Sequence, residues 1–534
     1  MTVGRRANRR RAPSLPILFG FAAGLASVFA FAPIGSALLP FATFAILVVL
    51  WQDATTPRDA AWIGFAFGLA LFGTGVSWVY IALNTFGGMP PVLAAIATAV
   101  FCAYLALYPA AAGWLATKWT TQRSWPRALA AAAAWTLAEW GRSWILSGFG
   151  WLSLGYSQLP ASPHAGYAPI GGVFAVTLAV TLCASLLALA IDAFAMAAMQ
   201  RGVAMLAVIV AIGAGGAIAG RINWTSPSGA PVAVSLVQGD VAQDLKFDPE
   251  FRNRTFDLYT GLVEQTHGRL IVLPESALPE FAGDVPDSVL LSLLRTASAR
   301  DGDILIGLFT LEPPLPGSDE PRYYNSVVTL GTARPQLYRK RHLVPFGETI
   351  PLEPVVGWFI RSILAIPLAS QSAGDAEQPP LEVAGERVAV DICYEDAFGA
   401  DIRPQAKAAT LLVNVTNDAW YGRSLAALQH NQIAAMRALE TGRPLLRATN
   451  TGITSAIGHD GREIARLPWF TRGILEVEVT GRQGLTPYVR VGDWLAVVVA
   501  FVLLVAVVFA ARSRRKGAAA PPREIPGDLP VAGG

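Results

Sequence analysis

Between Leu15 and Gly220 the chain is a succession of apolar runs broken by short polar or Gly/Pro-containing joints, and one more run, DWLAVVVAFVLLVAVVFAA, lies near its end. Runs of this length can satisfy their backbone polar groups within hydrocarbon only as helices. The pattern predicts seven spans at about 15–31, 36–51, 60–82, 90–117, 126–145, 169–198 and 202–220, and an eighth at 493–511. The second is near the lower length limit, and the fourth and sixth are long, so the boundaries are soft by several residues. Composition agrees: 53% of the 534 residues are hydrophobic and 15% charged, against roughly 25% charged in soluble domains. Charges are sparse from 15 to 220 and common from 240 to 490, so a membrane half precedes a soluble domain. The start resembles a signal peptide, but no small-residue cleavage site follows and further spans come at once, so the first span is read as uncleaved.

Basic residues set the expected orientation. Arg5, Arg6, Arg9, Arg10, Arg11, Arg58, Lys118, Arg123, Arg127, Arg201, Arg512, Arg514, Arg515 and Lys516 fall on one side of an eight-span arrangement; the short loops opposite carry only Arg142. The expected organisation is a cytoplasmic basic N-terminus (1–14), a membrane domain (15–220), an external domain (221–490), the last span (493–511) and a cytoplasmic, disordered tail (512–534). A net charge of +3 with no basic strip argues against nucleic acid as a partner. Five scattered histidines and three cysteines, two of them inside apolar helices, offer neither metal-ligand spacing nor a disulfide framework.

From Pro231 the pattern changes. Short β-rich runs at 231–238, 269–274, 303–309, 324–330, 387–393, 409–415, 444–449, 453–458 and 473–479 alternate with helical stretches at 248–267, 285–299 and 424–441. Continuous apolar strands alternating with helices predict a layered α/β domain with strands buried on both faces.

Three chemically capable residues stand just past strand-like runs: Glu275 in VLPESA, Lys340 in YRKRHLVPFGE and Cys393 in VAVDICYEDAFG. In open α/β sheets ligands gather beyond the strands' carboxyl ends. A thiol needs a base to become a nucleophile, and a carboxylate in an apolar setting can serve. A tetrahedral intermediate needs positive charge, which Lys340 and a backbone N–H after Cys393 can supply. Each residue also has an ordinary reading: Cys393 as a buried small hydrophobe, Glu275 as a helix cap, and Lys340 as part of a solvated cluster with Arg339 and Arg341. Jointly the ordinary readings explain the three motifs poorly.

The order Glu in PES, Lys before HLVPFGE and Cys in CYE resembles the nitrilase, or carbon–nitrogen hydrolase, superfamily. With eight spans, EWGRSWILSGFGW and NVTNDAWYG, the chain except for its two tails is similar to the bacterial apolipoprotein N-acyltransferase family. The resemblance implies an α-β-β-α sandwich facing the periplasm on eight transmembrane helices of the inner membrane. It makes Cys393 the nucleophile, Glu275 the general base and Lys340 the stabiliser of the intermediate. Glu348 matches an additional essential acid, and Tyr394 and Glu395 match residues shaping the site. Phe247 departs from the family, which commonly has Trp there. The implied reaction passes a fatty acyl chain from a phospholipid, phosphatidylethanolamine being expected, through a Cys393 thioester to the α-amino group of a lipoprotein's S-diacylglyceryl-cysteine. It needs no cofactor, and a monomer is expected.

Lipid substrates require access from the bilayer. The segment 350–370, with Trp358 and Phe359, is expected to be a mobile arm on the membrane surface. Asn414, Trp420 and Tyr421 are expected to form a wall of the pocket. The loops 75–88 and 137–158, rich in aromatics, read either as an interfacial belt or as a floor beneath the site. In the second loop Glu139 and Arg142, near Trp144, are expected to pair with each other or to meet a head group. A membrane-tethered amidase acting with water is the main rival; seven leading spans exceed what tethering requires. A transporter or lipid-binding scaffold fits poorly with Glu275, Lys340 and Cys393 all present.

Overall fold

The computed structural model describes residues 14–246, 248–314, 316–317, 321–349 and 371–518. Phe247, Trp358 and Phe359, the expected arm at 350–370, the arginines before residue 14 and the tail beyond 518 lie outside the described residues.

Helices occupy every position where a span is expected: Ser14–Ser27, Leu39–Asp53, Pro57–Gly75, Pro91–Lys118, Trp125–Arg142, Ala168–Ala195, Met199–Ala219 and Trp494–Ala518. Among the described residues, only four stretches are long and apolar enough to cross a membrane unaided: Pro91–Lys118, Pro163–Ala195, Met199–Ala219 and Trp494–Ser513. A fifth arises if Pro57–Gly75 is taken with Val79–Phe86, from which it is bent by 56°. The first two helices have 14 and 15 residues, about 21–23 Å at 1.5 Å per residue, short of a hydrocarbon core of about 30 Å. Trp125–Arg142 is interrupted by Arg127, Glu139 and Arg142, all buried inside the helical bundle rather than facing outward.

Val92, Val100, Val210, Phe501 and Phe509 form an outer surface of large exposed apolar side chains, the kind of surface lipid covers. Inside, glycines bring backbones together. A Cβ on Gly64 would come within 2.3 Å of the Pro109 carbonyl, and one on Gly113 within 2.6 Å of the Ala60 carbonyl. The stretch expected as a loop at 75–88 is instead largely helical, a short turn at Val79–Ile81 running into a π-helical Ala82–Phe86.

The α/β domain contains β1 (Thr225–Pro227), β2 (Val232–Gln238), β3 (Leu270–Val272), β4 (Asp303–Glu312), β5 (Arg322–Gly331), β6 (Leu337–Arg339), β7 (Leu381–Val383), β8 (Glu386–Ile392), β9 (Leu411–Thr416), β10 (Leu445–Thr449), β11 (Ser455–Ile457), β12 (Glu463–Arg466), β13 (Gly473–Val479) and β14 (Arg482–Gly484). They form two six-stranded sheets, ordered β13-β2-β3-β4-β5-β6 and β12-β11-β10-β9-β8-β7, and a β1–β14 ribbon. The centre of each sheet is parallel: β2, β3 and β4 in one, β8, β9 and β10 in the other.

Val234, Leu236, Val272 and Leu305 of the first sheet pack on Val388, Val390, Val413 and Leu446 of the second, all buried. Helices Pro249–Glu264 and Asp287–Ser298 cover the outer face of the first sheet through Phe256, Tyr259 and Leu293. Gly399–Ala406 and Leu425–Thr441 cover that of the second through Ile402, Ala406, Ala434 and Ala438. The result is the four-layer sandwich the resemblance implies.

Every expected strand and helix of this domain is present. β1, β6, β7, β12 and β14, each of three or four residues, are not expected from the sequence. The helix Gly399–Ala406 is hidden by Pro404 in its interior.

Leu425–Thr441 is also the seat of this domain on the helical bundle. Trp78 donates its indole N–H to Gln429 Oε1 (3.2 Å), Gln429 Nε2 donates to the Gly75 carbonyl (2.9 Å), and Glu440 accepts from Val173 N (2.7 Å). These contacts tie the bend after residue 75 to the sheet that carries Cys393.

Candidate active site

Glu275 follows β3 in a tight turn. Gly307 makes room for it, because a Cβ there would meet the Pro274 carbonyl at 2.3 Å and the Glu275 Cα at 2.8 Å. Asn325, in β5, donates from Nδ2 to Glu275 Oε1 (2.8 Å), and its carbonyl accepts from Lys340 N (2.8 Å). One asparagine thus fixes both the carboxylate and the residue following β6. Lys340 is completely buried; its Nζ donates to Glu348 Oε1 at 2.7 Å and stands 3.6 Å from Glu275 Oε1. The other oxygen of Glu348 accepts from Val344 N (2.9 Å), which orients it.

Cys393 directly follows β8 with φ +54, a left-handed conformation that is uncommon for a side-chain-bearing residue and clusters at functional sites. The turn is held on two sides. Glu395 accepts from Ile392 N (2.7 Å), Arg341 N (2.8 Å), His342 N (3.0 Å) and Tyr338 OH (3.0 Å). It therefore clamps the cysteine turn to the segment bearing Lys340. Behind it, the Cys393 carbonyl lies 3.3 Å from Asn414 Nδ2 and 3.1 Å from His430 Nε2. His430 also contacts Asp396 (2.7 Å) and Asp418 (2.8 Å), and Arg447 donates to Asp396 (2.7 Å), Asn414 (2.7 Å) and Asp418 (3.2 Å).

The fields in this pocket differ from residue to residue. Burial pushes the Cys393 thiol well above the usual range and Glu275 adds to this, while Lys340 partly offsets it. The resting group is therefore a thiol, which needs a base before it can attack. Burial alone would lower the Lys340 ammonium, but Glu348, Glu275 and Cys393 outweigh it and hold the charge in place. Lys246, also buried, is pushed down to about 8 by desolvation, only partly countered by Glu275 and Cys393. Its Nζ donates to the Glu275 carbonyl at 2.9 Å.

Glu275, Lys340, Cys393 and Glu348 are thus brought together, with Glu395 beneath them. Tyr394 points the other way, donating to the Gly148 carbonyl (2.7 Å) and stacking on Trp151 at 5.6 Å; it joins the cysteine turn to the loop between the helices. Tyr421 packs edge-on against Trp78 at 4.7 Å, and its hydroxyl is pushed up by burial and then by Cys393 and Asp418. Trp420 is half-exposed with its ring against Phe86. Asn414 is wholly buried under Cys393, bonded to Asp391 as well as Arg447, and does not line open space.

Glu139 and Arg142 do not behave as the sequence predicts. Each is buried and serves the loop instead. Glu139 accepts from Trp135 Nε1 (2.8 Å), Leu154 N (2.9 Å) and Thr177 Oγ1 (2.8 Å). Arg142 donates to the carbonyls of Phe149 (2.6 Å) and Trp151 (2.7 Å) and to Ser153 Oγ (3.0 Å). The loop folds back over both, so neither reaches a head group. Trp144 is exposed beside Trp140.

Lys246, Asn325, His430, Arg447, Asp396 and Asp418 are missed by the sequence reading. Of these, Asp396 and Asp418 lie in the VAVDICYEDAFG and NVTNDAWYG stretches quoted for their neighbours, and Lys246 directly precedes Phe247. Among the described residues no cluster of His, Cys, Asp or Glu is arranged to hold a metal ion.

Two family models match the chain: the apolipoprotein N-acyltransferase N-terminal domain over residues 23–186 and carbon–nitrogen hydrolase over 233–488. An apolipoprotein N-acyltransferase of Nitrosomonas europaea is 45% identical, the match covering 94% of this chain and 98% of that one. Proteins of the same name from Methylococcus capsulatus (43% identity; 90% and 93% covered) and Chromobacterium violaceum (41%; 88% and 89%) are similar at nearly full length.

Proposed function

The chain belongs to the apolipoprotein N-acyltransferase family, and from that premise we propose that it is a bacterial membrane enzyme moving a fatty acyl chain from a phospholipid to the N-terminal amine of diacylated lipoproteins. The observation that carries the chemistry is the convergence of a protonated, buried thiol, Cys393, with the Glu275–Lys340–Glu348 cluster.

Glu275 takes the thiol proton as Sγ attacks the ester carbonyl carbon, and the carbonyl π electrons move onto oxygen. Lys340, fixed by Glu348 and Asn325, stabilises that oxyanion without having to reorganise. Collapse breaks the ester C–O bond, the proton on Glu275 passes to the departing lysophospholipid, and a thioester remains. In the second half the α-amine attacks the thioester, gives a proton to Glu275, and the sulfur leaves and is reprotonated. The product is an amide.

The seam between the two parts of the chain supports lipid substrates. Tyr394 and Tyr421 connect the cysteine turn directly to the aromatic loop at Gly148–Trp151 and to Trp78. The eight helices are read as eight spans, the shorter ones crossing within the bundle, with the residue 221–490 domain periplasmic and both termini cytoplasmic.

The test is product analysis with the full chain in phospholipid nanodiscs, given labelled phosphatidylethanolamine and a diacylated lipopeptide. Label in an amide on the lipopeptide is expected; free fatty acid as the sole labelled product would assign the enzyme to the hydrolases instead.

A further inference from the structure

The site holds two carboxylates, Glu275 and Glu348, within 4 Å of one ammonium, Lys340. On its own this set carries an excess negative charge, in a place where the chemistry must form further anions at sulfur and at the carbonyl oxygen. Lys246 changes the balance. It is 1% exposed, and among the described residues its one hydrogen bond goes to the backbone carbonyl of Glu275, not to a carboxylate. Its charge is therefore available to the site as a whole.

Lysines are almost never so fully buried without an acidic partner, and an apolar side chain would fill the same space at no desolvation cost. The loop that carries it is anchored at several points. The Asn450 amide bonds both the N–H (2.9 Å) and the carbonyl (2.7 Å) of Val241, and Asn417 Nδ2 donates to Gln243 Oε1 (2.7 Å). Glu275 from the turn after β3 and Cys393 from the turn after β8 are the groups whose charge Lys246 feels.

We propose that Lys246 is a positioning residue of the acyl-transfer centre, a second fixed cation that, together with Lys340, balances Glu275 and Glu348 and favours the anions formed at Cys393. With it the charges of Glu275, Glu348, Lys340 and Lys246 sum to zero at rest. They sum to zero again when Glu275 has accepted the thiol proton and the oxyanion has formed. No bond is made to Lys246 and its proton does not move. The role rests on Cys393 and Glu275 acting as described above.

The test compares the wild-type full chain with Lys246→Met and Lys246→Arg in nanodiscs, with Cys393→Ala as background. Iodoacetamide alkylation of Cys393, read by peptide mass, needs no acyl transfer and reports the thiolate directly. An opposite charge close by shifts a pKa by about 1–3 units, so Lys246→Met should alkylate about tenfold or more slowly at pH 7, and Lys246→Arg within about threefold of wild type. In single-turnover thioester formation, the wild-type rate should fall as pH rises through about 8 while Lys246 loses its proton; the Arg variant should not show this fall. Unchanged alkylation in Lys246→Met overturns the proposal. So does equal slowing in both variants with the alkaline fall retained, which would make Lys246 an anchor for the Glu275 carbonyl only. If Lys246→Met does not fold, the alkaline behaviour of Lys246→Arg decides. Slowed alkylation in a wild-type background that forms no thioester would keep this inference and remove the acyl-transfer reading.

Discussion

The imidazole Nε2 of His430 lies 3.1 Å from the carbonyl oxygen of Cys393 and 2.7 Å from Asp396 Oδ1, while its Nδ1 lies 2.8 Å from Asp418. His430 is therefore adjacent in the chain to Gln429, which Trp78 grips, and in direct contact with the nucleophile's backbone.

His430 should make stability depend on pH. Burial and Arg447 push its pKa down, but Asp396 and Asp418 prevail and carry it up to about 9, above the value near 6.5 of an unfolded histidine. The folded state then binds the proton more tightly, so the stabilisation is complete below about pH 6.5 and is lost as pH rises through about 9. Thermal unfolding of the protein in nanodiscs should occur several degrees lower at pH 9.5 than at 6.5. His430→Gln should flatten that dependence; an equally steep slope in the variant would remove His430 as its source.

Asn325 brackets the base and the lysine through its side chain and its carbonyl. Asn325→Ala should slow thioester formation by roughly tenfold to a hundredfold through loss of orientation, with little change in unfolding temperature. Asn325→Asp, placing a second carboxylate against Glu275, should be slower still. A variant Asp enzyme as fast as wild type would contradict the bracket.

Glu348 is the nearer partner of Lys340. Glu348→Gln leaves the ammonium with Glu275 alone, which pulls the two together and reduces the basicity of Glu275. We expect a loss of about 10²-fold in acylation, measured by rapid-quench mass spectrometry, and a larger one in Lys340→Met. Equal rates for wild type and Glu348→Gln would show that Glu348 is only structural.

Arg142 holds the aromatic loop through Phe149, Trp151 and Ser153. Met in its place leaves two buried carbonyls and a hydroxyl without their donor, a cost of about 3 kcal/mol or more. Arg142→Met should unfold at a clearly lower temperature with unaltered preference among phospholipid head groups. A changed head-group preference at unchanged stability would restore the head-group contact predicted from sequence.

The chemistry was legible where a functional side chain closes an apolar run. Cys393, Glu275 and Lys340 each follow a strand whose pattern points at them, and Glu348 shares the segment of Lys340. Lys246 was not, because Asp244 and Asp248 on either side make it look like part of a solvated turn. His430 sits between Gln429 and Asn431 and reads as a wet helix face, although its helix is covered on both sides. Pairing between distant segments, such as Asn325 with Glu275, leaves no local trace. The helices were found at their positions, but among the described residues only four, or five with the bent pair, are long and apolar enough to cross unaided; Trp125–Arg142 is shielded by its neighbours and so need not be apolar throughout.

Whether Cys393 carries the acyl chain is read by the intact mass of the protein after incubation with phospholipid. We expect an added mass of one fatty acyl group on the wild-type protein, removed by hydroxylamine, absent from Cys393→Ala, and discharged by a diacylated lipopeptide. An unmodified wild-type protein that still acylates the lipopeptide would contradict it.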